Sequence, residues 1–151
     1  MRHILLISVL LVLASCFNKG DCLKTNTDKV RIVFKSKTDG KNLSLRLNSV
    51  TAQGFPTVLI SNQDVAGTFE LRIDPNQAFT NFIFDYKVGG VSDKDTLKLT
   101  YRPLARVPAS DCGAFLYFTD LNYIKTGFDS VRIVNAQLLS DANILNVQIF
   151  R

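Results

Sequence analysis

The stretch Thr68-Phe69-Glu70-Leu71-Arg72-Ile73 alternates apolar and polar side chains, and this alternation decides the fold. Successive side chains of a β-strand point to opposite faces, so the three apolar residues share one face and Glu70 lies on the other. The same period of two recurs along the chain and predicts further strands. They cover residues 30–34, 43–47, 82–86, 97–101, 131–134 and 145–149.

Glycine, asparagine and aspartate separate these strands, as in residues 39–42 and 89–93. Seven or more short strands joined by such turns are typical of a β-sandwich. A chain of this length can bury one core, and we find no internal repeat. We therefore expect an all-β fold, a single antiparallel, immunoglobulin-like β-sandwich over residues 22–151.

Apolar side chains indicate how this domain is filled and closed. Phe69, Phe82, Phe84 and Phe115 fall in alternating segments and are expected in the core. The run 112–118 is the densest apolar stretch after the first 16 residues and predicts a central strand. Residues 145–150 alternate with Asn146 and Gln148 on the polar side, so this strand should pair inside a sheet and leave only Arg151 free.

Residues 1–16 have the layout of a lipoprotein signal peptide. Arg2 supplies the positive charge and residues 4–14 the apolar region, which is shorter than the about 20 residues that a membrane span requires. Leu13-Ala14-Ser15-Cys16 resembles the lipobox of bacterial lipoproteins, whose cysteine is acylated and begins the mature protein. This predicts a signal peptide at 1–15, palmitate-type lipidation of Cys16 and a tether at 16–21, anchored because each buried methylene contributes about 0.8 kcal/mol.

Loss of the signal peptide would remove His3, the only histidine of the chain. Catalysis by Ser-His-Asp or Cys-His groups and histidine-based zinc sites are then excluded. Glu70 is the only glutamate, and its strand position predicts an exposed carboxylate and not the buried one that a glycosidase acid needs. Asp93 and Asp95 fall short of a calcium loop. We expect no catalytic residue, no metal and no cofactor.

The charged and aromatic residues expected at the surface indicate few classes of ligand. Removing Arg2 from the 18 basic residues leaves 17 against 13 acidic ones, a balance of +4, and no basic run interleaves with aromatics as in a nucleic-acid surface. The basic residues therefore predict a solvated sheet face. Three tyrosines form a candidate ligand surface, because protein surfaces that bind sugars use aromatic side chains with a polar edge. These are Tyr101, Tyr117 and Tyr123.

Cys22 and Cys112 form an even pair once Cys16 is acylated. A structural disulfide is the default in an exported chain, and two free thiols are the alternative.

Three features together resemble a family of small uncharacterised lipoproteins of the Bacteroidota. They are Asp21-Cys22 directly after the lipobox, Asp111-Cys112-Gly113 with an aromatic two residues on, and the strand at 145–150. The resemblance implies export, a disulfide and a β fold, and it carries over no catalytic residue.

These observations predict a non-enzymatic envelope lipoprotein that binds the membrane through Cys16 and an envelope protein or glycan through its domain. Alternatives are a glycan- or lipid-binding subunit of an uptake system, and a carboxylate-dependent glycan hydrolase using Glu70 and Asp85. Phe17 in place of an aspartate after Cys16 favours the outer membrane. The nearly neutral Asn18-Lys19-Gly20-Asp21 favours its periplasmic face over the cell surface.

Replacing both Cys22 and Cys112 by Ser should lower the melting temperature under oxidising conditions and leave the fold intact. A bridge closing so long a loop contributes about 4 to 5 kcal/mol in the chain-entropy model. Thermal denaturation followed by circular dichroism, with and without reductant, measures the effect. An unchanged melting temperature would argue for two free thiols.

Overall fold

A computed structural model describes residues 28–107, 114–138 and 144–151, and these ranges contain nine β-strands and no helix. Accordingly, nothing in these ranges is a helix that could cross a membrane. The strands are β1 (Lys29–Lys35), β2 (Leu45–Ala52), β3 (Ile60–Val65), β4 (Phe69–Arg72), β5 (Phe79–Val88), β6 (Val91–Arg106), β7 (Phe115–Thr126), β8 (Ser130–Ile133) and β9 (Val147–Phe150).

The strands form two sheets, and the expected all-β sandwich is confirmed. One sheet has four strands in the order β4-β1-β9-β8, and the other has five in the order β3-β2-β5-β6-β7. The structure gives a residue register for six pairs of adjacent strands. Strands β1 and β9 run parallel, and the other five of these pairs are antiparallel. The sandwich belongs to a compact unit of Thr25–Ala105 and Leu116–Arg151. A second unit includes Arg106–Phe115.

Aromatic side chains fill much of the space between the sheets. The ring of Phe34 stacks on Phe69 at 5.5 Å and meets the edges of Phe84 and Phe128 at 6.0 and 5.8 Å between centroids. Such pairs contribute about 0.5–1.5 kcal/mol beyond their buried area. Burial of Phe69, Phe82 and Phe84 confirms their predicted core positions, whereas Phe115 is only half-buried.

The described part of the apolar run 112–118, which was predicted as a central strand, lies at an edge. Strand β7 begins at Phe115 and is the outermost strand of the five-stranded sheet. The prediction was wrong because apolar density does not report burial here: Phe118 is buried, but Leu116 is 48% exposed. The residues around Leu138 line the other side of β7, since Leu138 N–H donates to Phe118 O at 3.0 Å and Leu121 N–H to Ala136 O at 2.9 Å.

Strand β9 lies between β1 and β8 and completes the four-stranded sheet. Just before it, Asn146 is buried, although the alternation placed it on the polar side of the strand. Its side chain accepts a hydrogen bond from Arg31 N–H at 3.0 Å and donates to the carbonyls of Asn135 and Gln137 at 3.2 and 3.0 Å. Asn146 therefore joins β1 to the segment after β8, which explains why an amide is buried there.

Replacing Asn146 by Ala should destabilise the domain by about 2–3 kcal/mol, because a buried donor and two carbonyls lose their partner. The half-buried Gln148, two residues along, provides the matched control: Gln148→Ala should cost well under half as much. Urea unfolding followed by circular dichroism measures both. Equal losses in the two variants would show that the amide network adds no stability.

Candidate functional site

The candidate site is a groove between β3 and β4, which are edge strands of different sheets. It has a volume of about 590 Å³. Apolar and polar side chains alternate around it, so it could hold a ligand with both characters. We call it the edge groove, and its lining residues are Arg31, Leu59, Ile60, Gln63, Thr68, Phe69 and Glu70.

Glu70 is the only carboxylate among the residues that line the edge groove, and two cations hold it. Lys29 Nζ lies 2.9 Å from Oε2, and Arg31 Nη2 and Nε lie 2.5 and 3.0 Å from Oε1. Hydrogen bonds from Lys29 and then Arg31 lower the pKa of Glu70 below its ordinary value. Glu70 is exposed, as its strand position predicts. Its lowered pKa keeps it ionised, whereas a general acid would need a raised pKa.

Glu70 and Asp85 do not form a catalytic pair. Glu70 lies on the outer face of the four-stranded sheet, since it alternates with buried Phe69 and Leu71. Asp85 lies on the outer face of the five-stranded sheet, between buried Phe84 and Tyr86. The core separates the two carboxylates, and Asp85 instead accepts a hydrogen bond from Asn48 Nδ2 at 2.6 Å.

Tyr101 is not part of a ligand surface, contrary to the sequence-based prediction. It is 4% exposed, and its hydroxyl donates to Asp74 O at 2.7 Å and bonds the Thr80 hydroxyl at 2.6 Å. Burial raises the pKa of Tyr101 to about 12. The two polar partners lie inside the domain, so the hydroxyl does not need water and the tyrosine packs as a core residue.

Tyr117 and Tyr123 do not share a face of β7. Phe118 and Leu121 are both buried although they are three residues apart. The extra residue lies at Asp120, where φ is 57°, so the alternation changes phase there. Tyr117 consequently points away from the core face, whereas Tyr123, 37% exposed, lies on the core side of its strand. The three tyrosines predicted as one surface are therefore not brought together.

Asp93 and Asp95 bind a residue of this chain. Both lie within hydrogen-bond or ion-pair reach of the Arg151 guanidinium, with 3.6 Å from Nη1 to Asp95 Oδ2. Tyr86 O–H donates to the same Asp95 oxygen at 2.5 Å, and its pKa is raised by burial and then by this bond. Within the ranges described by the structure, no three acidic, cysteine or histidine side chains cluster as metal ligands.

Arg151 was predicted to be free, but its backbone and its side chain both make contacts within the domain. Its backbone N–H donates to Lys35 O at 3.0 Å, and its carbonyl accepts from Lys37 N–H at 2.9 Å. Its guanidinium also lies 5.8 Å from the centre of the Tyr86 ring. The prediction was wrong because alternation describes only local faces, while these contacts come from distant segments.

The basic residues do not gather on one face. Lys35 lies on the outer face of the four-stranded sheet, and Lys98, on the five-stranded sheet, covers the Phe79 ring at 4.1 Å. Arg102 Nε pairs with Asp120 at 2.9 Å. Cys16, Cys22 and Cys112 lie outside the described residues.

A family model described as a family of unknown function, DUF6452, matches residues 47–151. The chain belongs to the DUF6452 family. The DUF6452 match begins inside β2 and includes β4 and β9, so it covers Glu70 and Asn146 but not β1 with Lys29 and Arg31. Comparisons with curated proteins and with solved structures found no match for this DUF6452 chain.

Replacing Glu70 by Gln should remove a pH-dependent contribution to stability. The lowered pKa of Glu70 means that its ion pairs stabilise the fold above the pKa of the unfolded chain, and this contribution is lost as the pH falls through the folded-state pKa. Exposed ion pairs contribute about 0.2–1 kcal/mol. The wild type should exceed the variant in stability by that amount at neutral pH. The difference should begin to shrink at about pH 4.3, the ordinary pKa of a glutamate, and should vanish below the folded-state pKa, which is lower.

Urea unfolding over a pH series measures this difference. Asp64→Asn is the matched control, because Asp64 is 73% exposed and its nearest cation, Arg46, is 3.5 Å away. Its effect should be smaller than that of Glu70→Gln. A difference for Glu70→Gln that stays constant from neutral to acidic pH would mean that its charge does not stabilise the fold.

Proposed function

We propose that the protein is a non-enzymatic envelope lipoprotein whose β-sandwich binds a partner through the edge groove. The proposal that the domain binds a partner rests on the charge and the contacts of Glu70. The one glutamate of the chain lies in the groove wall with both oxygens bound by cations. A carboxylate held ionised in this way suits recognition of a polar partner and not proton donation.

Membrane attachment is the second part of the proposal and is supported by the sequence. Leu13-Ala14-Ser15-Cys16 follows an apolar run and precedes a polar segment, the arrangement of a lipidation signal. Several acyl chains on Cys16 would hold the domain at the membrane surface. The proposed location is the outer membrane, with the periplasmic face favoured because few acidic residues follow Cys16. Removal of the protein by protease treatment of intact cells would place it on the cell surface instead.

A bridge between Cys22 and Cys112 belongs to the same proposal. It is supported by the even cysteine pair that remains after lipidation and by the oxidising environment of an exported domain. Such a bridge would fasten the segment after the tether to the segment before β7.

A Cys16→Ala variant should leave the membrane fraction, because the acylated residue is lost. Fractionation of cells followed by immunodetection measures its distribution. Cys22→Ala is the matched control and should remain with the membrane. An unchanged membrane fraction for Cys16→Ala would overturn the proposed anchor.

Glycan hydrolysis is the competing function, and the separation of Glu70 from Asp85 speaks against it. The purified protein should show no turnover of cell-wall or dietary glycans. Turnover that is lost in Glu70→Gln or Asp85→Asn would establish the hydrolase and overturn the non-enzymatic proposal.

Saturable glycan binding without turnover would assign the protein to glycan capture, as in a subunit of an uptake system. Tyr123→Ala tests for a contribution of the exposed tyrosine, with the buried Tyr101 excluded as a contact residue by its position in the core.

A further inference from the structure

Strand β4 has one edge whose backbone groups point away from its sheet. Ile73 N–H donates to Asp28 O at 2.8 Å, so the pair 73/28 is a hydrogen-bonded pair of the antiparallel ladder. Hydrogen-bonded and non-hydrogen-bonded pairs alternate, and the register pairs Glu70 with Arg31 and Arg72 with Lys29. The N–H and C=O groups of Glu70 and Arg72 are therefore directed outward from β1.

Nothing in the described ranges pairs with this edge. Strand β4 is the terminal strand of its sheet, and the edge groove runs beside it between Glu70 and Gln63 of β3. An unpaired strand edge is a template for another strand. The groove leaves space for that strand next to the outward backbone groups.

We propose that β4 pairs antiparallel with β4 of a second copy of this chain. This deepens the proposed function by naming an occupant of the edge groove, and it rests on that function for the statement that the groove binds a partner. The twofold axis passes through Leu71, so Glu70 lies opposite Arg72 of the partner subunit, and Arg72 opposite Glu70 of the partner subunit. The two four-stranded sheets then form one sheet of eight strands.

The backbone restricts the register of this pairing. Only residues with outward N–H and C=O groups form hydrogen-bonded pairs, so a pairing confined to β4 joins Glu70 and Arg72 to each other or to themselves. The two self-pairings place Glu70 opposite the partner's Glu70 or Arg72 opposite the partner's Arg72, which brings like charges together. Only the register centred on Leu71 places opposite charges face to face at both positions.

Both side chains remain accessible to a partner despite their contacts within the chain. Glu70 is 34% exposed and Arg72 is 61% exposed, although Arg72 binds Asp28 Oδ2 through Nε and Nη2 at 3.1 and 2.9 Å. A carboxylate has about four acceptor sites, so Glu70 can accept from Arg72 of the partner subunit while it retains Lys29 and Arg31.

The other edges do not offer the same complementarity. Strand β3 is interrupted by Asn62, whose φ of 50° departs from extended backbone. Strand β8, at the opposite edge of the four-stranded sheet, carries the single charge Arg132. It therefore offers no second charge of opposite sign within β8 that a twofold pairing could match.

A charge exchange between β4 strands tests the proposal. Native mass spectrometry of the full chain released from detergent micelles should show a dimer for the wild type over a concentration series. Glu70→Arg places arginines opposite each other, and Arg72→Glu places glutamates opposite each other, so each variant alone should be monomeric. Mixed together, with one of them labelled with ¹⁵N, the two variants should form a dimer of mixed mass only.

The matched control is Arg132→Glu, the same charge change on the opposite edge of the same sheet, which should leave the dimer intact. Melting temperatures establish that each variant folds, and the mixed dimer is itself evidence of two folded chains. A monomeric wild type, no dimer in the mixture, or a complex with a different protein in place of the dimer would overturn the proposal. Membrane fractionation of the same variants reports on the proposed lipid anchor separately.

Discussion

The parallel pairing of β1 with β9 is the constraint on which the four-stranded sheet depends. Strand β1 has β4 on one side and β9 on the other, and β9 in turn holds β8. Without β9 the sheet would separate into a β1–β4 pair and a lone β8, and isolated pairs of strands are marginally stable in water. Asn146 fixes the start of this pairing because its amide bonds Arg31 and the segment after β8 together. The sandwich thus depends on a polar group inside it.

Charged groups in this domain are largely neutralised by neighbours, and this shapes what the surface can do. Glu70 is bound by Lys29 and Arg31, and Asp93 and Asp95 share Arg151. The lowered pKa of Glu70 keeps this carboxylate ionised at neutral pH, so it can recognise cationic or hydrogen-bonding groups. The edge groove combines this ionised carboxylate with the edge strand β4, and for that reason we propose it as the place where a partner binds.

The alternation of apolar and polar residues along the sequence predicts strands that have one buried face and one exposed face. It identified β4, where apolar and polar residues alternate strictly, and also β1 and β5, where every second residue is buried over most of the strand. It missed β3, because Ser61 to Asp64 are all exposed and only Ile60 and Val65 are buried. It also misplaced Tyr101 and Arg151, whose partners lie 27 and 58 residues away in the chain. The edge groove has no local signature, since it exists only once β3 and β4 face each other.

Strands β1 and β9 are far apart in the sequence, and this distance determines when the four-stranded sheet can form. Arg31 and Asn146 are 115 residues apart, so β1 leaves the ribosome long before the strand that completes its sheet. Contacts this distant slow folding because the intervening chain must first be ordered. In a chain threaded through a membrane pore with β1 leading, the four-stranded sheet could not be completed until β9 had followed. Late closure would leave this sheet incomplete for as long as the chain was still passing through such a pore.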